Sequence, residues 1–296
     1  MPPKEHLDVK ALSSEERLAF YGALFAVAAA DGPMSREELE LIYETVDTEG
    51  LSESARRRLY AYAIEPPALR DCLQPIRDAP ETVRHGLMLN LVEVAVSDYL
   101  LSEAEREALT EARMWLGISD EQRAAMVRYA EEVRRVRERG IDDNHAADAI
   151  KAAVSGLTAV GVPIAAVVYS GSVVGLSAAG ITSGLAALGL GLGMVPGIGM
   201  AILLGTAAFV GLNHLFDTGS KRKKEQYRRE RERKAQLAMQ NLQETINLLV
   251  ERMSRLKEDA ADAKANKEAI GLLNERLTKL KQVLAHRREA TVTQGA

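Results

Sequence analysis

The chain has 296 residues, a formal net charge of −4 and one cysteine, Cys72, which excludes an internal disulfide framework and fits a reducing compartment. The small net charge hides a segregation: residues 1–151 carry 30 acidic and 19 basic side chains, residues 152–216 carry none, and residues 217–296 carry 12 acidic and 19 basic. Aromatics make up only 4% and alternating β-branched runs are absent, so a β-rich fold is excluded and the class is all-α.

Residues 1–12 read as a tail. Met1-Pro2-Pro3-Lys4-Glu5-His6 lacks a basic stretch leading into an apolar core, so no secretory signal is expected and the first domain is placed in the cytosol. Residues 13–140 then read as a helical domain, with start and stop signals predicting helices at about 14–30, 35–47, 53–63, 67–78, 81–97, 103–116 and 120–138. Capping boxes, in which a serine side chain takes one backbone amide and a Glu or Gln side chain returns to the serine amide, are predicted at Ser13/Glu16, Ser35/Glu38, Ser102/Glu105 and Ser119/Gln122. Pro66, Pro67 and Pro80 sit where helices start or stop.

Two boxes belong to a longer pattern. Phe25-Ala26-Val27-Ala28-Ala29-Ala30-Asp31-Gly32-Pro33-Met34-Ser35-Arg36-Glu37-Glu38 aligns with Val92-Glu93-Val94-Ala95-Val96-Ser97-Asp98-Tyr99-Leu100-Leu101-Ser102-Glu103-Ala104-Glu105, 67 residues later. Each is an apolar helix, then Asp-x-x-apolar-Ser-x-x-Glu, then a second helix. With the closing Ala112-Arg113-Met114-Trp115-Leu116-Gly117-Ile118-Ser119, residues 14–120 resemble the TerB-like family, the helical domain associated with tellurite resistance. The second copy departs from the family pattern by carrying Tyr99 where Gly is usual. The resemblance implies a compact α-helical bundle without enzymatic chemistry, and links to stress response, the membrane and phage defence. It also implies candidate metal ligands at Asp31, Glu38, Asp98 and Glu105, whose hard oxygens suit Ca²⁺ or Mg²⁺. The loops are too short for an EF-hand, and the residues have another reading: Asp31 and Asp98 close turns while Glu38 and Glu105 complete capping boxes.

A short acidic linker, 141–151, leads to the charge-free segment 152–216, which holds 13 of the 22 glycines. A span of this length suffices for two or three membrane-spanning helices of about 20 residues, two being the simplest. The alternatives are a segment that enters one leaflet and returns, a conditional inserter, or a glycine-zipper core buried in a soluble bundle or oligomer. Gly171/Gly175, Gly180/Gly184 and Gly189/Gly193 form three successive GxxxG pairs, the spacing that lets helix backbones approach closely in lipid. Breaks are expected at Pro163, Gly189–Gly193 and Val195-Pro196-Gly197. Basic clusters beside membrane segments stay on the cytoplasmic side. Lys221, Arg222, Lys223 and Lys224 therefore place the C-terminal flank there, and the first domain, without an export signal, places the N-terminal flank there too. The result is a hairpin in the inner membrane with both termini cytoplasmic.

Residues 217–288 read as a basic coiled coil and 289–296 as a disordered tail. Residues 221–234 hold nine basic and three acidic side chains, with Lys221, Arg222, Lys223, Lys224, Arg228 and Arg229 as candidate anionic-lipid contacts. Nucleic acid is not expected, because no nucleic-acid fold is legible and Tyr227 is the one aromatic in that run. Two heptad seams follow, Leu242-Ile246-Leu249-Met253-Leu256-Ala260-Ala263 and Ile270-Leu273-Leu277-Leu280-Leu284, out of phase with each other. With no Gly or Pro at 259–267, one continuous helix with a stammer is predicted, a fold-back hairpin being the alternative. Either seam offers self-association or a partner helix.

No P-loop, GxGxxG, HExxH, CxxC or GxSxG motif occurs, and the five histidines are scattered, so no enzyme is expected. The reading is a non-enzymatic membrane-associated stress-response or phage-defence component that senses or perturbs the membrane, acting with separately encoded ATPase or nuclease partners. The alternatives are a metal-binding protein for tellurite or metal-ion stress, and a coiled-coil scaffold.

Overall fold

The computed structural model describes residues 12–97, 101–139, 146–163, 166, 221–258 and 263–293. Within them the chain is all-α, as expected. Ten helices run in order: α1 (Ser14–Ala28), α2 (Arg36–Thr45), α3 (Glu53–Ala61), α4 (Leu69–Leu73), α5 (Glu81–Ala95), α6 (Glu103–Leu116), α7 (Asp120–Arg139), α8 (Ala146–Ala159), α9 (Lys221–Glu258) and α10 (Ala263–Thr293). A 3₁₀ turn, Gln74–Ile76, extends α4.

The four predicted capping boxes all form. Ser13, Ser35, Ser102 and Ser119 each accept from the amide three residues on, and the side chains of Glu16, Glu38, Glu105 and Gln122 each return to the serine amide. Between these caps, α1 and α5 are apolar on almost every side and are buried accordingly, as a helix without a polar face must be. They meet each other at the centre, with the remaining helices of the first 139 residues around them.

The duplication is three-dimensional and longer than the sequence motif. α1 and α5, α2 and α6, and α3 and α7 each begin 67 residues apart. The helix ends match as well: Ala29 closes α1 at φ −100°, ψ 6°, and Val96 closes α5 at φ −99°, ψ 4°. Gly50 and Gly117, at φ 77° and 67°, both take the left-handed conformation at the corner before the third helix, where a side chain would be strained. Arg17 and Arg84, again equivalent, each reach that corner of their own copy and donate to a main-chain carbonyl, Asp47 O and Leu116 O.

The copies differ in one place. α6 runs on to Leu116, whereas α2 stops four residues earlier in equivalent terms, because Val46 is extended (φ −68°, ψ 113°). Residues Val46–Glu49 are therefore a non-helical corner whose carbonyls need partners outside the helix.

Two expectations are corrected. The C-terminal part is not one continuous helix: α9 and α10 pack against each other, and the four residues between them require an antiparallel hairpin. Charge-rich sequence without Gly or Pro permits a helix, but burying both seams outweighs that local preference. The heptad residues Leu242, Ile246, Leu249, Met253, Leu273, Leu277, Leu280 and Leu284 are buried with Val283, and α9 and α10 also pack on α2 of the first copy.

The second correction concerns the border set at 151/152. α8 runs straight across it and packs on α7, with Val154 and Leu157 buried. Gly161, at φ 82°, then ends α8 in a Schellman-type turn, Val162 N–H donating to Leu157 O at 3.1 Å. The first residues of the charge-free segment thus pack on protein. Among the described residues no helix is long and apolar enough to cross a membrane. The rest of the hairpin read over 152–216, including Gly171, Gly175, Gly180, Gly184, Gly189 and Gly193, lies outside the described residues.

Cys72 faces the Gly22 position of α1 and is buried. Burial pushes its thiol up from 9.0 to about 12, and burial likewise pushes the Tyr21 hydroxyl up from 10.0 to about 12. Both groups resist ionisation more in the folded chain than in the unfolded one. Their contribution to stability is present below pH 9 and is lost as pH rises from 9 towards 12. The urea midpoint should fall between pH 8 and pH 10.5, and a thiol reagent should leave the folded chain unlabelled at pH 8. An unchanged midpoint, or full labelling before unfolding, would contradict this.

Candidate functional site

The corner between α2 and α3 is where the chain's distant parts are joined. α9 runs parallel to α3: Gln240 and Glu244 lie by Glu53 and Arg56, while Arg252 and Arg255 lie by Ala61 and Ile64. Asn241 and Thr245, one turn apart on α9, are both fully buried there. Asn241 Oδ1 accepts from Thr48 Oγ1 at 2.9 Å and from the Tyr60 hydroxyl at 3.0 Å, and its Nδ2 donates to Val46 O at 3.4 Å. The Tyr43 hydroxyl donates to Thr245 Oγ1 at 2.8 Å, and Thr245 Oγ1 donates to Asn241 O at 2.8 Å.

The early end of α2 is what makes this seam possible. It frees Val46 O for Asn241 and leaves the Asp47 main chain for the first copy's own core. The Tyr21 hydroxyl donates to Asp47 O at 3.2 Å and accepts from Asp47 N at 3.1 Å, with Arg17 on the same carbonyl. The Asp47 side chain is then turned to α9, where Arg233 Nη2 donates to its Oδ2 at 2.8 Å and Arg233 Nη1 donates to Glu49 Oε2 at 2.6 Å. Further along, Arg252 pairs with Glu65, Arg276 donates to Ala63 O at 3.4 Å, and Lys279 donates to Met34 O at 2.9 Å. Hydrogen bonds to charged groups contribute about 1.5–3 kcal/mol and neutral ones about 1. The hairpin is therefore held in one register by polar groups, while its apolar seam supplies area without direction.

α8 is laid along the third helix of the second copy as α9 is along that of the first, but in the opposite direction. It packs antiparallel to α7, and the carbonyl of Val160 accepts from Gln122 Nε2 at 3.2 Å at the start of that helix. The two helices that flank the charge-free segment are thus each laid along the third helix of one copy. The segment leaves near the start of α7, and the chain returns on the helix that reaches the corner before α3.

The candidate ligands of the duplicated motif are not gathered by the described residues. Asp31 is exposed, and Asp98 lies outside the described residues. Glu38 and Glu105 are buried, at 3% and 1% exposure, with a carboxylate oxygen of each committed to its own serine amide. The Lys279 ammonium already closes the first motif loop at Met34 O. Among the described residues no three His, Cys, Asp or Glu side chains form a group suited to a metal ion. Lys221, Arg222, Lys223, Lys224, Arg228 and Arg229 lie on the first turns of α9, their side chains outside the description.

Asn241, Thr245 and Arg233 were not singled out by the sequence. Arg233 is hidden inside a basic run, and the signal for the other two was faint: two polar residues four apart beside the Leu242-Ile246-Leu249 seam. Compared with protein-family profiles, curated proteins and solved structures, the chain matches none.

Proposed function

We propose that this chain is a non-enzymatic, membrane-associated helical module of the TerB-like kind, serving stress response or phage defence by offering a charge-free segment to a bilayer. The observation that carries this reading is the common anchorage of the segment's two flanks. α8 is packed on α7 and α9 on α3, so one folded body holds both ends of a stretch without an ionised side chain. A bilayer-spanning version of that stretch must then cross an even number of times. The basic start of α9 supplies the complementary attraction, at about 1 kcal/mol per Lys or Arg near an anionic surface. The polar seam acts as the positioning device: it fixes where α9, and with it the returning end of the segment, meets the body.

The test is flotation of the full chain with phosphatidylcholine/phosphatidylglycerol vesicles. The chain should rise with the lipid, and a variant lacking residues 167–216 should stay at the bottom. A full chain that remains wholly soluble beside such vesicles would overturn the reading.

A further inference from the structure

We infer that the α6–α7 corner is a bilayer-contact surface, seated in the headgroup layer by Met114 and Trp115. This rests on the membrane reading above and names the part of the folded body that touches lipid. Met114 is 62% exposed, above Leu272 at 55% and Val250 at 46% among the exposed large apolar side chains of the described residues. Its neighbour Trp115 is the only tryptophan of the chain and is half-buried.

The duplication shows what is unusual about these two. Met114 stands where the first copy has Asp47, and Trp115 where it has Thr48, the residues that hold Arg233 and Asn241. In the first copy the helix ends before that point and its polar groups face α9, the first helix of the C-terminal arm formed by α9 and α10. In the second copy α6 stays helical through Leu116, satisfies its own backbone and carries a thioether outward. The polar docking chemistry is gone, and an apolar surface replaces it.

Around the indole the chemistry is that of an interface with lipid headgroups. The guanidinium carbons of Arg70 and Arg77, both exposed, lie 5.9 and 5.8 Å from the Trp115 ring centre. Tryptophan, apolar in body with one polar edge, concentrates at the boundary of water and hydrocarbon. Arginines on its faces reach headgroup phosphates while their stems stay on the ring. The acids nearby keep the corner from being a basic patch: Glu111 pairs with Arg70 at 3.3 Å, Asp120 pairs with Arg113 at 3.1 Å, and Asp71, Asp78 and Glu121 are exposed. Contact there depends on seating Trp115 and Met114, not on net charge.

Position selects a bilayer as the occupant. Gln122, just past this corner, holds Val160 O, and the chain then continues from Val162 into residues that carry no charge before Asp217. A segment that enters lipid from this point brings the corner to the headgroup layer with it.

Trp115 is its own probe. The full chain is mixed with phosphatidylcholine/phosphatidylglycerol vesicles with and without brominated acyl chains, and flotation is read in parallel. Bound chain should show blue-shifted tryptophan emission, quenched by the brominated lipid. Met114→Glu should weaken vesicle binding about tenfold, the scale of withholding one methionine side chain from an apolar layer, with unchanged thermal unfolding. Flotation without quenching overturns the corner as the contact surface and leaves the membrane reading standing; absence of flotation overturns both. Equal binding by Met114→Glu overturns the role of Met114. A blue shift that grows with protein concentration in the absence of vesicles would assign the corner to a second copy instead, and also overturns the inference.

Discussion

Replacing Asn241 with Ala is expected to lower the unfolding free energy by about 3 kcal/mol, from groups left unsatisfied in a buried site. The side chain is fully buried and serves three partners from the first copy, Thr48 Oγ1, the Tyr60 hydroxyl and Val46 O. Truncation leaves two donors and one acceptor without water to replace what they lose. The cost should appear as a lower urea midpoint and as earlier tryptic cleavage between Arg228 and Lys234. Tyr60→Phe removes one of the orphaned donors, so the double variant should cost about 1 kcal/mol less than the sum of the singles. Strict additivity would mean that the two side chains do not act on one another, and the seam would lose its place as the element that fixes the arm.

The second large effect belongs to Gly22, in the middle of α1. A Cβ there would lie 2.8 Å from Cys72 Sγ, 3.1 Å from Pro67 Cγ and 3.2 Å from a ring carbon of Tyr62. α1 and α4 approach each other across this glycine, and its usual cost in a helix interior is accepted for that contact. Gly22→Val should destabilise by about 3 kcal/mol, since added methyls in a filled core force side chains off their rotamers. Gly22→Ala should cost less, and Cys72→Ala should relieve part of the Gly22→Ala penalty by removing its nearest neighbour. A Gly22→Val chain as stable as the parent, judged by urea unfolding, would show that α1 and α4 do not meet as closely as described.

How much of this was legible beforehand follows from how local each feature is. Each capping box uses atoms three residues apart, so Ser13, Ser35, Ser102 and Ser119 could be read directly as caps. The duplication was legible where the copies share Asp-x-x-apolar-Ser-x-x-Glu. Its extension to Gly50/Gly117 and Arg17/Arg84 needed backbone angles and contacts, because single residues scattered among substitutions carry no pattern.

The α9–α10 hairpin shows the limit from the other side. Two heptad seams out of phase announced two apolar faces, yet nothing in residues 259–267 marked a turn. The deciding energy lay elsewhere, in burying both faces against each other and against α2. Asn241 and Thr245 were beyond reach for the same reason. Their partners Thr48 and Tyr43 are 193 and 202 residues away, and their meeting depends on α2 ending early at Val46.

The sequence alone thus determined the helical class, the caps, the repeat and the charge-free stretch, all of which arise from neighbouring residues or from composition. Only the tertiary structure decided that the C-terminal helices fold back onto the first copy, that α8 claims the start of the charge-free stretch, and that the two equivalent corners diverged. One corner holds the arm through buried hydrogen bonds, and the other presents Met114 and Trp115. The physical reason is the same throughout: a buried polar group or apolar face is satisfied by whatever the fold brings to it, and that partner need not be near in the chain.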